Sequence, residues 1–259
     1  EVLYDMLCRA RRTGDGSEEV EEMLCNVMRM LPDIQFKGAE DMDFSICYPQ
    51  PSFDRRNIMF DLNYFKYCFL KASGLEFDEF LLQEDFERLA DDLLKYDTDT
   101  FMYRDFNSRN VMICDGSPYF IDFQGGRRGP IYYDVASFVW HARSSYSECL
   151  KERMLESYMD SLSGYMEVDR KEFRSVLRIF VLFRMLRVLG AYGFRGMVEQ
   201  KADFVAAIPH TIENLRGMVA VAGSRYPYLA EMFSRLVSLP RFEDRPSDSK
   251  QLVVPVTSF

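Results

Sequence analysis

Asp105, Asn110 and Asp122 have the side chains and the spacing that phosphoryl transfer to a hydroxyl requires. They lie in Tyr103-Arg104-Asp105-Phe106-Asn107-Ser108-Arg109-Asn110 and in Ile121-Asp122-Phe123. Residues 111–114 and 118–121 are short apolar runs separated by Asp115-Gly116-Ser117, a glycine-containing loop of the kind that closes a β-hairpin. With a three-residue loop, Cys114 pairs with Pro118, and counting outward sets Asn110 opposite Asp122, with Cβ atoms about 5 Å apart. One divalent cation then reaches both. Asp105 precedes Asn110 by five residues, a length that folds its carboxylate back toward a substrate hydroxyl beside the metal. In such a site the first Asp accepts the hydroxyl proton, while Asn and the second Asp hold Mg²⁺. Catalysis there is positioning plus electrostatic stabilisation. Asp and Asn are also ordinary turn residues beside hairpins, and a bare D-x-x-x-x-N says little. The combination of hairpin, apolar-Asp-Phe triplet and Gly129-Pro130-Ile131-Tyr132-Tyr133-Asp134 carries the reading.

These segments resemble the aminoglycoside phosphotransferase and choline kinase superfamily, which has a His-x-Asp-x-x-x-x-Asn loop, an Ile-Asp-Phe metal motif and a Tyr-Asp-hydrophobic-Ala segment. Within it they resemble the bacterial N-acetylmuramate/N-acetylglucosamine anomeric sugar kinases. The matching stretches are residues 103–110, 121–124 and 129–137, dense over about 35 residues and thin elsewhere. The resemblance implies an ATP- and Mg²⁺-dependent small-molecule kinase with an amino sugar as acceptor. It makes Asp105 the catalytic base, Asn110 and Asp122 the Mg²⁺ ligands, and Asp134 a buried brace for the loop, with Tyr103, Arg109 and Gln124 as supporting residues. Arg127 and Arg128, directly after Gly125-Gly126, are candidates for contact with the nucleotide phosphates or the substrate. In such kinases the helical insert before the catalytic loop lines the acceptor site, which makes Asp54, Arg55, Arg56 and Asp61 candidate acceptor contacts. Their plainer reading is helix-start and surface charge. Three positions depart from the pattern: Tyr103 and Asn107 stand where the family has His, and Gly125 stands where the sugar kinases have an acid. The last leaves acceptor identity open. A choline- or aminoglycoside-type acceptor is the alternative within the class, and a non-catalytic kinase-like scaffold linked to an RNA-associated domain the alternative outside it.

The elements that must position these residues read as mainly helical. Apolar residues recur at helical spacing over 1–12, 18–31, 53–73, 147–165, 170–192, 197–207, 208–222 and 226–238, and 133–141 is helix-like. The fold class is therefore α+β and mainly α, resembling the C-terminal lobe of a protein-kinase-like fold, with a small β-hairpin. No glycine-rich loop precedes a strand upstream and no Val-Ala-x-Lys run occurs, so residues 1–239 are expected to be that lobe without a nucleotide-clamping partner, a fragment inactive by itself. Residues 240–250 read as a polar linker and 251–259 as the first strand of a further domain, resembling the opening of the C-terminal domain of bacterial RNase-adaptor proteins. Arg184 and Arg187 sit in an otherwise apolar helix and require buried acids, such as Asp134, or anions.

With 47% hydrophobic residues, 22 Phe and 15 Tyr, the chain has ample material for a core. Six dispersed cysteines without a Cys-x-x-Cys pair read as reduced residues of a cytoplasmic protein. The 32 basic and 41 acidic residues give net −9, which argues against direct nucleic-acid binding. No apolar run reaches the length of a membrane span.

Overall fold

The computed structural model describes residues 1–96, 99–223 and 225–239. The expected linker and terminal strand at 240–259 lie outside the described residues.

The chain opens with α1 (Leu3–Thr13), ended by Gly14 in the left-handed conformation at φ 78°. In α2 (Ser17–Lys37), Val20, Leu24, Val27, Met28 and Leu31 form one buried stripe. That stripe lies along α6 (Glu148–Leu162). Asp54 caps α3 (Arg55–Phe65) by accepting from the Asn57 amide, and α3 runs on into a π-helical turn at Lys66–Leu70. Helix α4 (Glu79–Leu94), capped by Asp78, was not expected from the sequence; Leu82, Phe86, Leu89 and Leu93 form its buried face.

Four short strands follow. Strand β1 (Thr100–Met102) pairs antiparallel with β4 (Arg127–Gly129), and between them β2 (Val111–Cys114) pairs with β3 (Ser117–Phe120) as a hairpin. The hairpin register differs from the expectation by one residue. Cys114 pairs with Ser117 and Ile113 with Pro118, so the loop is Asp115-Gly116 alone. Both loop residues have positive φ, 49° and 75°, which two-residue hairpin turns demand and which Asp and Gly tolerate.

Helices α5 (Tyr132–Val139) and α7 (Arg170–Tyr192) form the centre of the molecule, and α7 packs on α3 and α5. Two glycines of that layer allow the close approach. A Cβ on Gly193 would lie 2.2 Å from the Cys68 carbonyl oxygen, and one on Gly190 would lie 2.8 Å from the Phe65 nitrogen. A second π-helical turn, Gly193–Val198, leads to α8 (Ala202–Arg216), α9 (Val219–Ala222) and α10 (Pro227–Val237). The break expected at 207/208 falls inside α8, whose Pro209 is accommodated within the helix. Among the described residues no helix is long and apolar enough to cross a membrane.

Candidate active site

The loop after β1 is tied down from behind. Asp134, fully buried in the first turn of α5, accepts from the Tyr103 amide at 2.7 Å and the Arg104 amide at 2.8 Å. Burial pushes the Asp134 carboxyl up to about 7, against those two hydrogen bonds, with Asp105 adding to the rise and Arg184 opposing it. The bonds hold Arg104 at φ 77°, a left-handed conformation costly for a side chain of that size. Tyr103 is buried and donates its hydroxyl to the Ile121 carbonyl at 2.5 Å, and its ring meets Phe106 edge-on with centroids 5.4 Å apart. The phenol thus organises the loop by packing and hydrogen bonding. Asn107 and Asn110 both donate their side-chain amides to the Asp105 carbonyl at 2.8 Å, which curls residues 105–110 into one turn.

Asn110 and Asp122 meet, by a route other than direct cross-strand pairing. The observed register sets Ile121 opposite Asn110, with the Ile121 amide donating to the Asn110 carbonyl at 3.0 Å. Asp122 then leaves the strand at φ 71°, and its Oδ2 accepts from Asn110 Nδ2 at 3.2 Å. Gln124 Nε2 donates to the other oxygen, Oδ1, at 2.6 Å. Asp122 is exposed, and it presents hard oxygen beside the Asn110 and Gln124 amides. That donor set fits Mg²⁺, which takes one or two protein oxygens and completes its octahedron with phosphate and water. No cluster of three His, Cys, Asp or Glu able to hold a metal exists among the described residues, so no all-protein cage competes with it.

Asp105 faces a cavity of about 370 Å³ between α3, α5, α7 and α8. Arg187 crosses its floor, with Nε 3.4 Å from Asp61 Oδ2 and Nη2 3.9 Å from Asp105 Oδ1. Burial opposes the Arg187 charge, but Tyr133, Asp61 and Asp105 outweigh it and raise the pKa. Arg184 donates to Ser137 Oγ from Nε and Nη2 at 3.1 and 3.0 Å. Neither arginine pairs with Asp134, because that carboxylate is consumed by backbone amides.

The other expected contacts divide. Asp61 and Arg109 line the cavity. Asp54 serves as the α3 cap, Arg55 is held by Glu87 and Asp91, and Arg56 is exposed away from the cavity lining. Arg127 is not placed to meet a phosphate. It is fully buried, donates to Asn57 Oδ1 at 2.5 Å and to the Gly125 carbonyl, and burial lowers its pKa to about 10. Arg128 points to the opposite face of β4, ion-paired with Asp99 at 2.9 Å and lying over the Phe44 ring. Missed by sequence reasoning were Arg104, Arg143, Arg195 and His141, all in the cavity wall. They lie in loops and turns, where no periodicity marks a common face. His141 falls just beyond α5, with Nδ1 3.2 Å from Ser144 Oγ. Burial, then Arg184, Arg143 and Arg109, hold its imidazole neutral, with a pKa of about 3.

Two curated relatives carry the name N-acetylmuramate/N-acetylglucosamine kinase. One, from Neisseria meningitidis serogroup B, is 28% identical over 203 residues, covering 73% of this chain and 57% of that protein. The other, from Pseudomonas aeruginosa, is 29% identical over 144 residues, covering 54% of this chain and 41% of that protein. The chain therefore spans about half the length of the curated relatives it matches. Among solved structures, choline kinase from Cryptosporidium parvum Iowa II superposes with a TM-score of 0.51 at 13% identity, over 83% of this chain and 69% of that one. The fold is thus the kinase-like fold, mainly helical with small antiparallel sheets. The model of the phosphotransferase enzyme family matches residues 49–168, the stretch that holds Asp61, Asp105, Asn110, Asp122 and Asp134.

Proposed function

We propose that this protein transfers the γ-phosphoryl group of ATP to a hydroxyl of a small molecule, an amino sugar, with Asp105 as the base. The observation that carries the reading is the position of Asp105, at the wall of a ligand-sized cavity on one side and joined through its own carbonyl to Asn110, the neighbour of Asp122, on the other. An acceptor hydroxyl in the cavity reaches the Asp105 carboxylate, which takes its proton as the oxygen attacks phosphorus. Asn110 and Asp122 would hold Mg²⁺ delivered with the nucleotide, and that ion supplies positive charge against the charge developing on the transferred group. Asp134 and Tyr103 keep the loop in register, and Arg187 orients the Asp105 carboxylate.

Residues 1–239 form, in this reading, the acceptor and metal half of a kinase. The names of the curated relatives support an amino sugar over choline. Six cysteines without a disulfide support a reducing compartment, the cytoplasm. The intact Asp105, Asn110 and Asp122 favour an enzyme over a scaffold.

The test is a phosphotransfer assay of the complete protein with Mg²⁺-ATP and a panel of N-acetylated amino sugars, choline and aminoglycosides. Asp105→Asn is expected to lower kcat by about 10²- to 10⁴-fold while leaving nucleotide Kd nearly unchanged, because a base acts on the hydroxyl rather than on the nucleotide. Undiminished turnover by that variant removes Asp105 from the chemistry. Absence of turnover on every acceptor shifts the weight to the scaffold.

A further inference from the structure

The cavity beside Asp105 has a charge opposite to that of the chain. Six arginines line it, Arg104, Arg109, Arg143, Arg184, Arg187 and Arg195, against two carboxylates, Asp61 and Asp105, an excess of four positive charges in a protein of net −9. Arg187 is ion-paired to both carboxylates and Arg184 is bonded to Ser137. None of the other four has a carboxylate within ion-pair distance among the described residues. Arg143, from the turn after α5, and Arg195, from the π-helical turn after α7, converge on one ring of α8. Their guanidinium carbons stand 5.0 and 5.4 Å from the Phe204 centroid. Arg143 Nη2 also donates to the Asp203 carbonyl at 3.5 Å, a contact that leaves its positive charge without a counter-charge, and the planar guanidinium fork matches a carboxylate or phosphate. The neutral state of His141, held by burial and by three of these arginines, is a second sign of the local field.

We propose that the acceptor is an anion and that Arg143 and Arg195 are the residues that read its charge. This rests on the reading of the cavity as the acceptor site, and it adds what the relatives' names, which cover one neutral and one acidic sugar, leave open. The sugar hydroxyl lies toward Asp105 and Arg187, and the carboxylate or phosphate of the same molecule lies toward Phe204. Cationic acceptors are excluded by the same field that admits an anion.

Binding and turnover test the two levels separately. N-acetylglucosamine, N-acetylmuramate, N-acetylglucosamine 6-phosphate and glucosamine are titrated calorimetrically into the complete protein, its Arg195→Gln and Arg143→Gln variants, and the charge-preserving Arg195→Lys. The anionic sugars are expected to bind about 10- to 100-fold tighter than the neutral one, and either Gln variant to bring that ratio toward one, as loss of a charge-assisted hydrogen bond would. Arg195→Lys should retain part of it. Whichever of carboxylate and phosphate binds tighter identifies the anion. Equal affinity for neutral and anionic sugars, preference for glucosamine, an unchanged ratio in both Gln variants, or no binding by any sugar each overturns the proposal. Phosphotransfer is measured on the same panel. Charge-ordered binding without turnover defeats only the kinase reading, and turnover without charge order defeats only this one.

Discussion

The buried Asp134 and the half-buried His141 are two titratable groups near the loop after β1, and their protonation pulls stability in opposite directions. Asp134 keeps its proton to about 7 in the folded chain, against an ordinary 3.8. Between those values the folded state binds a proton that the unfolded state has released, so this group's contribution is full at low pH and is lost as pH rises toward 7. His141 is depressed from 6.5 to about 3, so its contribution is full above 6.5 and is lost as pH falls toward 3. Denaturant unfolding of the wild type, Asp134→Asn and His141→Gln from about pH 4.5 to 7.5 separates the two. Relative to the wild type, Asp134→Asn is expected to gain stability as pH rises over that range. His141→Gln is expected to lose stability from about pH 4.5 to 6.5. A pH-independent gap for Asp134→Asn would mean the carboxylate is already ionised at low pH, with its two backbone bonds outweighing burial. At this scale Asp134 was marked out through the family resemblance alone, and its bonds to amides some thirty residues upstream follow from the fold and not from local pattern. The true partners of Arg184 and Arg187 were not legible, because Ser137 and Asp61 lie on other helices far upstream and only helix packing brings them near.

Among the elements, the hairpin shows how a local misreading leaves a site intact. Counting Ser117 into the loop shifted the register by one residue, which ought to have sent Asp122 to the wrong face. The left-handed φ of Asp122 breaks the strand's alternation at that residue and returns its carboxylate to Asn110. Helix α4 and the β1–β4 pair escaped notice for a related reason. Strands of three residues carry too little pattern to read, and α4 mixes acids and apolar residues through its length. The contact between α7 and the turn after α3 matters more for the cavity, since α7 carries Arg184 and Arg187 into it. Gly116 and Gly193 offer a comparison. An alanine at Gly116 meets nothing within 4 Å and suffers only its φ of 75°, a cost of about 1 kcal/mol. An alanine at Gly193 has its Cβ 2.2 Å from a backbone oxygen and must push α7 away. It is expected to cost about 3 kcal/mol or more and to weaken acceptor binding as well. Equal thermal shifts in Gly116→Ala and Gly193→Ala would show that the helices separate without penalty.

Under the proposed function, the molecule divides its labour unevenly between acceptor and nucleotide. The acceptor side is built in depth, with a cavity whose walls come from α3, α5, α7, α8 and the loop after β1. On the nucleotide side the described residues provide Asn110, Asp122 and Gln124, with the exposed Ile121 and Phe123 beside them. Arg127 and Arg128, the candidates for phosphate contact, are committed to Asn57 and Asp99. No glycine-rich phosphate loop or lysine-bearing strand of the kind that clamps a nucleotide occurs among the described residues. One carboxylate and one amide do not strip water from Mg²⁺ effectively, so a polypeptide of residues 1–259 is expected to bind Mg²⁺-ATP with a Kd on the order of 1 mM or weaker and to turn over slowly. Its core, by contrast, is continuous from α1 to α10, and cooperative unfolding of that same polypeptide is expected. Nucleotide titration and thermal unfolding on one preparation distinguish these claims. A micromolar Kd for Mg²⁺-ATP would show that residues within 1–259 clamp the phosphates, and Asp122→Ala would then reveal whether they do so through the metal. Cooperative unfolding with millimolar nucleotide affinity would leave the acceptor half as an independently folded unit whose anion preference can be measured without ATP.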